Sequence, residues 1–236
     1  MLTAAALCPA APLLARELTG ADPAVPELRQ ACREAADALV LASPDVVVVV
    51  GAGARTRSFD PATARLDLTP YAPALRPRPP VLAEAWPGDA LPLPLGLGGR
   101  LLDEAGYHGR RELQQIGADE PAPACAALGA VLVQAASRVA LLVMADGSAR
   151  RNRKAPGYLD ERSAAFDTEV GRAIRDGDVP ALLSLDTRLA SELMATGRPA
   201  WQVLAGAVNG GATASVIRYD DDPFGVAYLV ASLTVG

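Results

Sequence analysis

The segment SPDVVVVVGAGARTR, residues 43–57, decides the fold. Five consecutive valines, Val46 to Val50, favour an extended chain, because a branched Cβ is confined in a helix and packs well on a pleated surface. Successive side chains of a strand point to opposite faces, so this strand is apolar on both and needs a covering layer on each. A turn at Ser43-Pro44-Asp45 leads into it, and Gly51-Ala52-Gly53 ends it.

The same reading extends outward. LTAAALC (2–8) and RVALLVM (138–144) are further short apolar runs and are predicted to be buried strands. Between the first two strands, Leu28, Ala31, Cys32, Ala35, Ala36, Leu39 and Val40 recur at helical spacing. Glu27, Arg29, Gln30, Arg33, Glu34 and Asp37 fill the opposite face, which predicts a helix lying on a sheet. A strand is expected near 113–116. Helices are expected over about 98–105, 123–137, 180–195 and 198–208. Another helix, capped by Asp160, would bury Phe166, Val170, Ala173 and Ile174. Residues 70–95 hold eight prolines and no period, so they read as a long loop carrying Tyr71 and Trp86. TASVIRYDDDPFGVAYLVAS (213–232) reads as two strands joined at Asp220 to Pro223. Strands separated by helices predict one domain over 1–236, a three-layer α/β/α architecture around a mixed or mainly parallel sheet. Ligands in such sheets bind beyond the carboxyl ends of strands, here Pro9–Pro12, Gly51–Arg57 and Ala145–Arg151.

Bulk properties narrow the function classes. A chain of 236 residues buries a core without staples, and with 4% aromatic residues that core is built from Ala, Val and Leu. A net charge of −5 offers no basic footprint, so no nucleic-acid partner is expected. Cys8, Cys32 and Cys125 have no CxxC spacing, which argues against a disulfide framework or structural zinc and suits a reducing cytoplasm. The apolar start, MLTAAALCPAAPLLAR, lacks a basic region and is interrupted by Pro9 and Pro12, and no other run approaches the ~20 apolar residues of a membrane span. A cytoplasmic protein without membrane attachment is expected.

The histidine count carries the most chemistry. His108 is the only one, in the turn-like Gly106-Tyr107-His108-Gly109. A facial triad for non-haem iron needs two imidazoles and a carboxylate, so one chain cannot supply it. Gly96-Leu97-Gly98-Gly99-Arg100 could cradle a phosphate but lacks the preceding strand and the Lys-Ser/Thr of a P-loop. Arg55 and Arg57 stand where a carboxylate or phosphate could be gripped at the sheet edge, and Asp220 to Asp222 read as a solvated turn. At the end of the 138–144 strand, Asp146-Gly147-Ser148 places an acid and a hydroxyl at the same edge. Arg150, Arg151, Arg153 and Lys154 follow, and need anions or acidic side chains nearby. An anion-binding loop, a protein contact and a solvated loop all remain open for them.

Taken together, five segments resemble the class III extradiol ring-cleavage dioxygenase family, specifically the catalytic subunit-B-like domain that also underlies Memo-like proteins. CPAAPLLARELTG (8–20) is similar to the family's first motif, with Ala10 at the metal-binding histidine. VVVVVGAGARTR resembles the second, with Gly51 to Gly53 in place of the ligand. MADGSAR resembles the third, keeping Asp146 and Ser148 but carrying Ala149 at the acid/base histidine. GYLDERSAAFD and YDDDPFGVAYLVAS look like the segments that close the family's domain, while residues 209–216 contain no acid for its last ligand. The resemblance implies a subunit-B-like fold, Fe(II)-dependent opening of catechol rings by dioxygen, and a homodimer or larger assembly. The replaced histidines instead lead to the expectation of no cofactor and a pocket for a small anionic or aromatic ligand. Its lining would be Ala10, Gly53, Arg55, Asp146, Ser148 and Arg150, with Asp146 and Ser148 the candidates for any remaining chemistry. Two alternatives stand beside it: an active dioxygenase whose iron ligands come from elsewhere, such as another subunit, and an interaction module using Arg150–Lys154 or the proline-rich loop.

Overall fold

In the computed structural model, residues 1–19, 25–71, 89–211 and 213–236 are described. Most of the proline-rich loop, including Trp86, therefore lies outside the described residues. The valine run forms strand β2 (Val46–Gly53), flanked in the sheet by β7 (Val139–Met144) and β6 (Arg110–Gly117). β1 (Leu2–Cys8) follows β7, then β9 (Tyr228–Val235) and β8 (Thr213–Asp221), while β3 (Arg57–Phe59) closes the other edge. The order is β3-β6-β2-β7-β1-β9-β8, so the first and last strands are neighbours in one seven-stranded sheet. β6, β2, β7 and β1 are mutually parallel, β3 and β9 run antiparallel to them, and β8 runs antiparallel to β9. β4 (Arg65–Leu66) and β5 (Ala90–Leu91) pair separately.

Alternation along the strands sorts the core into two layers. Val46, Val48 and Val50 join Ala5, Leu7, Leu141 and Val143 beneath α5 (Arg162–Asp176), α6 (Val179–Leu183), α7 (Thr187–Glu192) and α8 (Arg198–Val208). Val47 and Val49 join Ala4, Ala6, Leu142 and Met144 beneath α2 (Pro26–Leu41) and α3 (Leu93–Glu104). The short α1 (Arg16–Thr19) leads from β1 toward α2, and α4 (Ala122–Leu132) packs against α8. This is the expected three-layer α/β/α arrangement, and no described helix is long and apolar enough to cross a membrane.

Several boundaries differ from expectation, each for a local reason. α3 starts at Leu93, not near 98, because Pro92 takes the N-cap position and Pro94 the first turn, where a missing N–H costs nothing. The glycines of GLGG therefore lie inside a helix and form no phosphate cradle; a side chain on Gly98 would collide with Val49 and Met144, so Gly98 sets how closely α3 approaches the sheet. The expected 180–195 helix is two, α6 and α7, because the carboxylates of Asp178 and Asp186 each cap a new N-terminus. Asp160 precedes the cap of α5, and its carboxylate accepts the Arg162 amide at 3.1 Å. The helix expected to 137 ends at Leu132, and β8 continues through Asp221, so the closing turn begins at Asp222, two residues later than expected.

α4 and α8 cross in near-backbone contact. A Cβ on Gly129 would meet the Val203 carbonyl, and one on Gly206 the Ala126 carbonyl. Gly206→Val is therefore expected to lower unfolding free energy in urea by about 2 kcal/mol or more. Gly99→Ala, with open space around a new methyl, should be neutral or stabilise by up to ~1 kcal/mol. Equal destabilisation by both changes would contradict this packing.

Candidate functional site

The carboxyl ends of the four parallel strands collect the polar groups. β1 and β7 finish side by side, with Cys8 paired to Met144, and the Ala145 amide donates to the Cys8 carbonyl at 2.8 Å. Two residues beyond that pair, the Ala10 amide donates to Asp146 Oδ1, also at 2.8 Å. That is the one hydrogen bond to the Asp146 side chain among the described residues. Desolvation raises the Asp146 carboxyl to about 6, against the opposing pull of the Ala10 amide. The phenols of Tyr71 and Tyr228 are both pushed up, first by burial and then by the nearby Asp146 charge. Among the described residues, Asp146 is thus flanked by two tyrosines and pairs with no cation.

The following loop is fastened to its surroundings at every step. The Gly147 amide donates to the Ala227 carbonyl and the Ala227 amide to the Ser148 carbonyl, each at 2.9 Å, lacing the loop to the β8–β9 turn. Ser148 is fully buried; its amide and hydroxyl donate to the two oxygens of Asp167 on α5, at 2.9 and 2.5 Å. Burial raises the Asp167 carboxyl, and the two Ser148 donors and Arg151 pull it back. Arg151 reaches Asp222 at 2.8 Å and lies 3.9 Å from Asp167. Arg150 donates to the Glu192 carbonyl at 2.9 Å and lies 3.9 Å from Asp160. The repulsion expected within the cationic run is thus relieved inside the chain, leaving Arg153 and Lys154 as its exposed members.

A groove of about 410 Å³ opens beside β2, lined by Gly53, Arg55, Arg57, Tyr71 and Gln115 among others. Arg57 stacks over the Phe59 ring at 3.9 Å and pairs with Asp89 at 3.2 Å. Arg55 makes no ion pair among the described residues, and its carbonyl accepts from the buried Gln115 side chain at 2.7 Å. The expected lining therefore divides: Gly53 and Arg55 line the groove, Ala10 and Asp146 hold each other at the strand ends, and Ser148 and Arg150 are committed to internal bonds. Tyr71, which lines the groove and feels the Asp146 charge, links the two parts. Tyr71, Tyr228, Gln115 and Asp167 escaped the residue-by-residue reading. Asp167 had a signal, since an acid at that position falls beside the apolar stripe Phe166, Val170 and Ile174.

The donor set does not suit iron. Among the described residues, no group of three or more His, Cys, Asp and Glu side chains is placed to hold a metal. Ala10 and Ala149 occupy the positions that the family resemblance assigns to histidines. His108 is exposed in the turn before β6, at the amino end of that strand, roughly 25 Å of strand from the site at ~3.3 Å per residue.

No protein-family profile matches the chain, and no curated protein sequence does. Among solved structures, the chain is similar to the crystal structure of uncharacterized protein JW3007 from Escherichia coli K12, with a TM-score of 0.54. The match covers 99% of this chain and 100% of that one at 14% sequence identity, a shared fold of the three-layer α/β/α class.

A carboxyl whose folded pKa lies above its unfolded value near 3.9 binds extra protons in the folded state, so it lowers stability as pH rises from about 4 to 6 and the loss persists above. For Asp146 that loss is on the order of 2–3 kcal/mol at pH 7. Asp146→Asn keeps an oxygen for the Ala10 amide, and is expected to be more stable than the parent at pH 8 and to converge with it toward pH 4. Urea unfolding at both values tests this; parallel stability–pH curves for the two proteins would refute it.

Proposed function

We propose that this chain is a divergent relative of the class III extradiol dioxygenase catalytic subunit that binds a small aromatic or anionic ligand at the carboxyl edge of its sheet and holds no iron there. The observation that carries the reading is Asp146, a carboxyl raised to about 6 and held by one backbone amide where the resemblance expects imidazoles. A group titrating there is present in both protonation states near neutral pH, so it can accept a hydrogen bond from a ligand hydroxyl or donate one. Tyr71 offers a ring face and phenol to an aromatic body, and the Arg55 guanidinium, without an ion pair among the described residues, offers a fork to a carboxylate.

Hydroxybenzoates carry both features and serve as probes. Isothermal titration is expected to detect their binding, with Arg55→Ala weakening it at least tenfold, a loss of ~1.4 kcal/mol or more. Unchanged affinity would remove Arg55 from the site.

The iron question is settled separately. After anaerobic incubation with Fe(II) and desalting, metal analysis is expected to find far less than one iron per chain, and catechols should drive no oxygen uptake. One tightly held iron with catechol-dependent oxygen consumption would establish instead the reading in which the ligands come from another subunit.

A further inference from the structure

A second cavity lies on the helix layer, between α2 and α3, and shares no lining residue with the sheet-edge groove. Its volume is about 320 Å³, within the range of small-molecule sites. Leu14, Leu97 and Leu101 supply apolar walls. Four guanidiniums surround them, from Arg16, Arg29, Arg33 and Arg100, against the single carboxylate of Glu104.

Among the described residues, only one of the four is neutralised. Arg100 forms a two-pronged pair with Glu17 at 2.6 and 2.7 Å. Arg29 donates to the Leu13 carbonyl at 2.8 Å and the Thr19 hydroxyl at 2.5 Å, meets no carboxylate among the described residues, and its Nε is buried without a partner there. Arg33 donates to the Gln30 side chain at 2.7 Å, and Arg16 and Arg33 make no ion pair among the described residues. Arg29 and Arg33 are four residues apart on one helix, a spacing at which like charges repel. A buried donor left unpaired costs about 1–3 kcal/mol, more when charged, and an anionic oxygen in the cavity would recover that cost together with the repulsion.

We propose that this cavity binds a small organic phosphate, with Arg16, Arg29 and Arg33 on the phosphate and the leucine walls on the organic body. Three unneutralised guanidiniums against one carboxylate leave an excess of two positive charges, which a phosphate monoester matches and a simple carboxylate does not.

Phenyl phosphate, inorganic phosphate and benzoate are the probes, titrated calorimetrically into the full chain at low salt. Phenyl phosphate is expected to bind most tightly, to weaken as salt rises and to raise the unfolding temperature. The double variant Arg16→Gln/Arg33→Gln, both exposed positions without structural hydrogen bonds to the backbone, should weaken it about tenfold or more while leaving the unliganded unfolding temperature near the parent's. Arg55→Ala and Asp146→Asn should leave phenyl phosphate binding unchanged, which separates this site from the sheet edge. Absence of phenyl phosphate binding, benzoate binding to Arg55→Ala as tightly as phenyl phosphate does, or loss of phenyl phosphate binding in Arg55→Ala but not in the double variant would each overturn the assignment.

Discussion

Because helices cover both faces of β1, β2 and β7, the polar groups available to a ligand are displaced from the strands to their carboxyl ends. Val46 to Val50 impose this. Each valine is fully buried, odd and even members in different layers, so neither face of the strand can carry a functional side chain. The consequence is a dense edge where β1 and β7 end on paired residues, Cys8 and Met144, and are joined two residues further on through Asp146 and the Ala10 amide. The loop to Ser148, its fastening to the β8–β9 turn and the position of α5 all follow from that edge.

Two acids share this region; burial raises both, and they differ in the partners that oppose it. Asp167 receives two hydrogen bonds from Ser148 and the nearby charge of Arg151, which hold it as a structural acceptor. Asp146 receives one amide and has tyrosines for neighbours, so desolvation prevails and its proton is retained to about 6. Asp146 is accordingly the group at this edge with free capacity toward a ligand.

The sheet and its main helices were legible because burial on two faces, or on one helical stripe, leaves a periodic signature. The strands at 2–8, 46–50 and 138–144 and the helices beginning near 27 and 198 stand where the pattern places them. β3 has three residues and β6 begins Arg110-Arg111-Glu112, so neither shows such a pattern along its full length. α3 was foreshortened because Pro92 and Pro94 look like coil and act as a start. At the site, Asp146 and Arg55 were legible from their place after strands. The partners that define their behaviour were not, since Tyr71, in a turn, and Tyr228, at the start of β9, are distant from Asp146 in sequence and meet it only in the folded chain. Ser148 and Arg150 looked available for the same reason: Asp167, Asp160 and the Glu192 carbonyl, which occupy them, cannot be seen from the loop itself.

At the carboxyl edge of this sheet Asp146 is a desolvated carboxyl held by one backbone amide, and its proposed role is to meet a ligand. Carbon-13 NMR titration of the aspartate carboxyls, with the Asp146 resonance assigned by its loss in Asp146→Asn, measures this directly. The account predicts a midpoint near 6 in the free protein that moves when a hydroxybenzoate is added. A midpoint below about 4, the ordinary range of a solvated aspartate, unmoved by ligand, would contradict it.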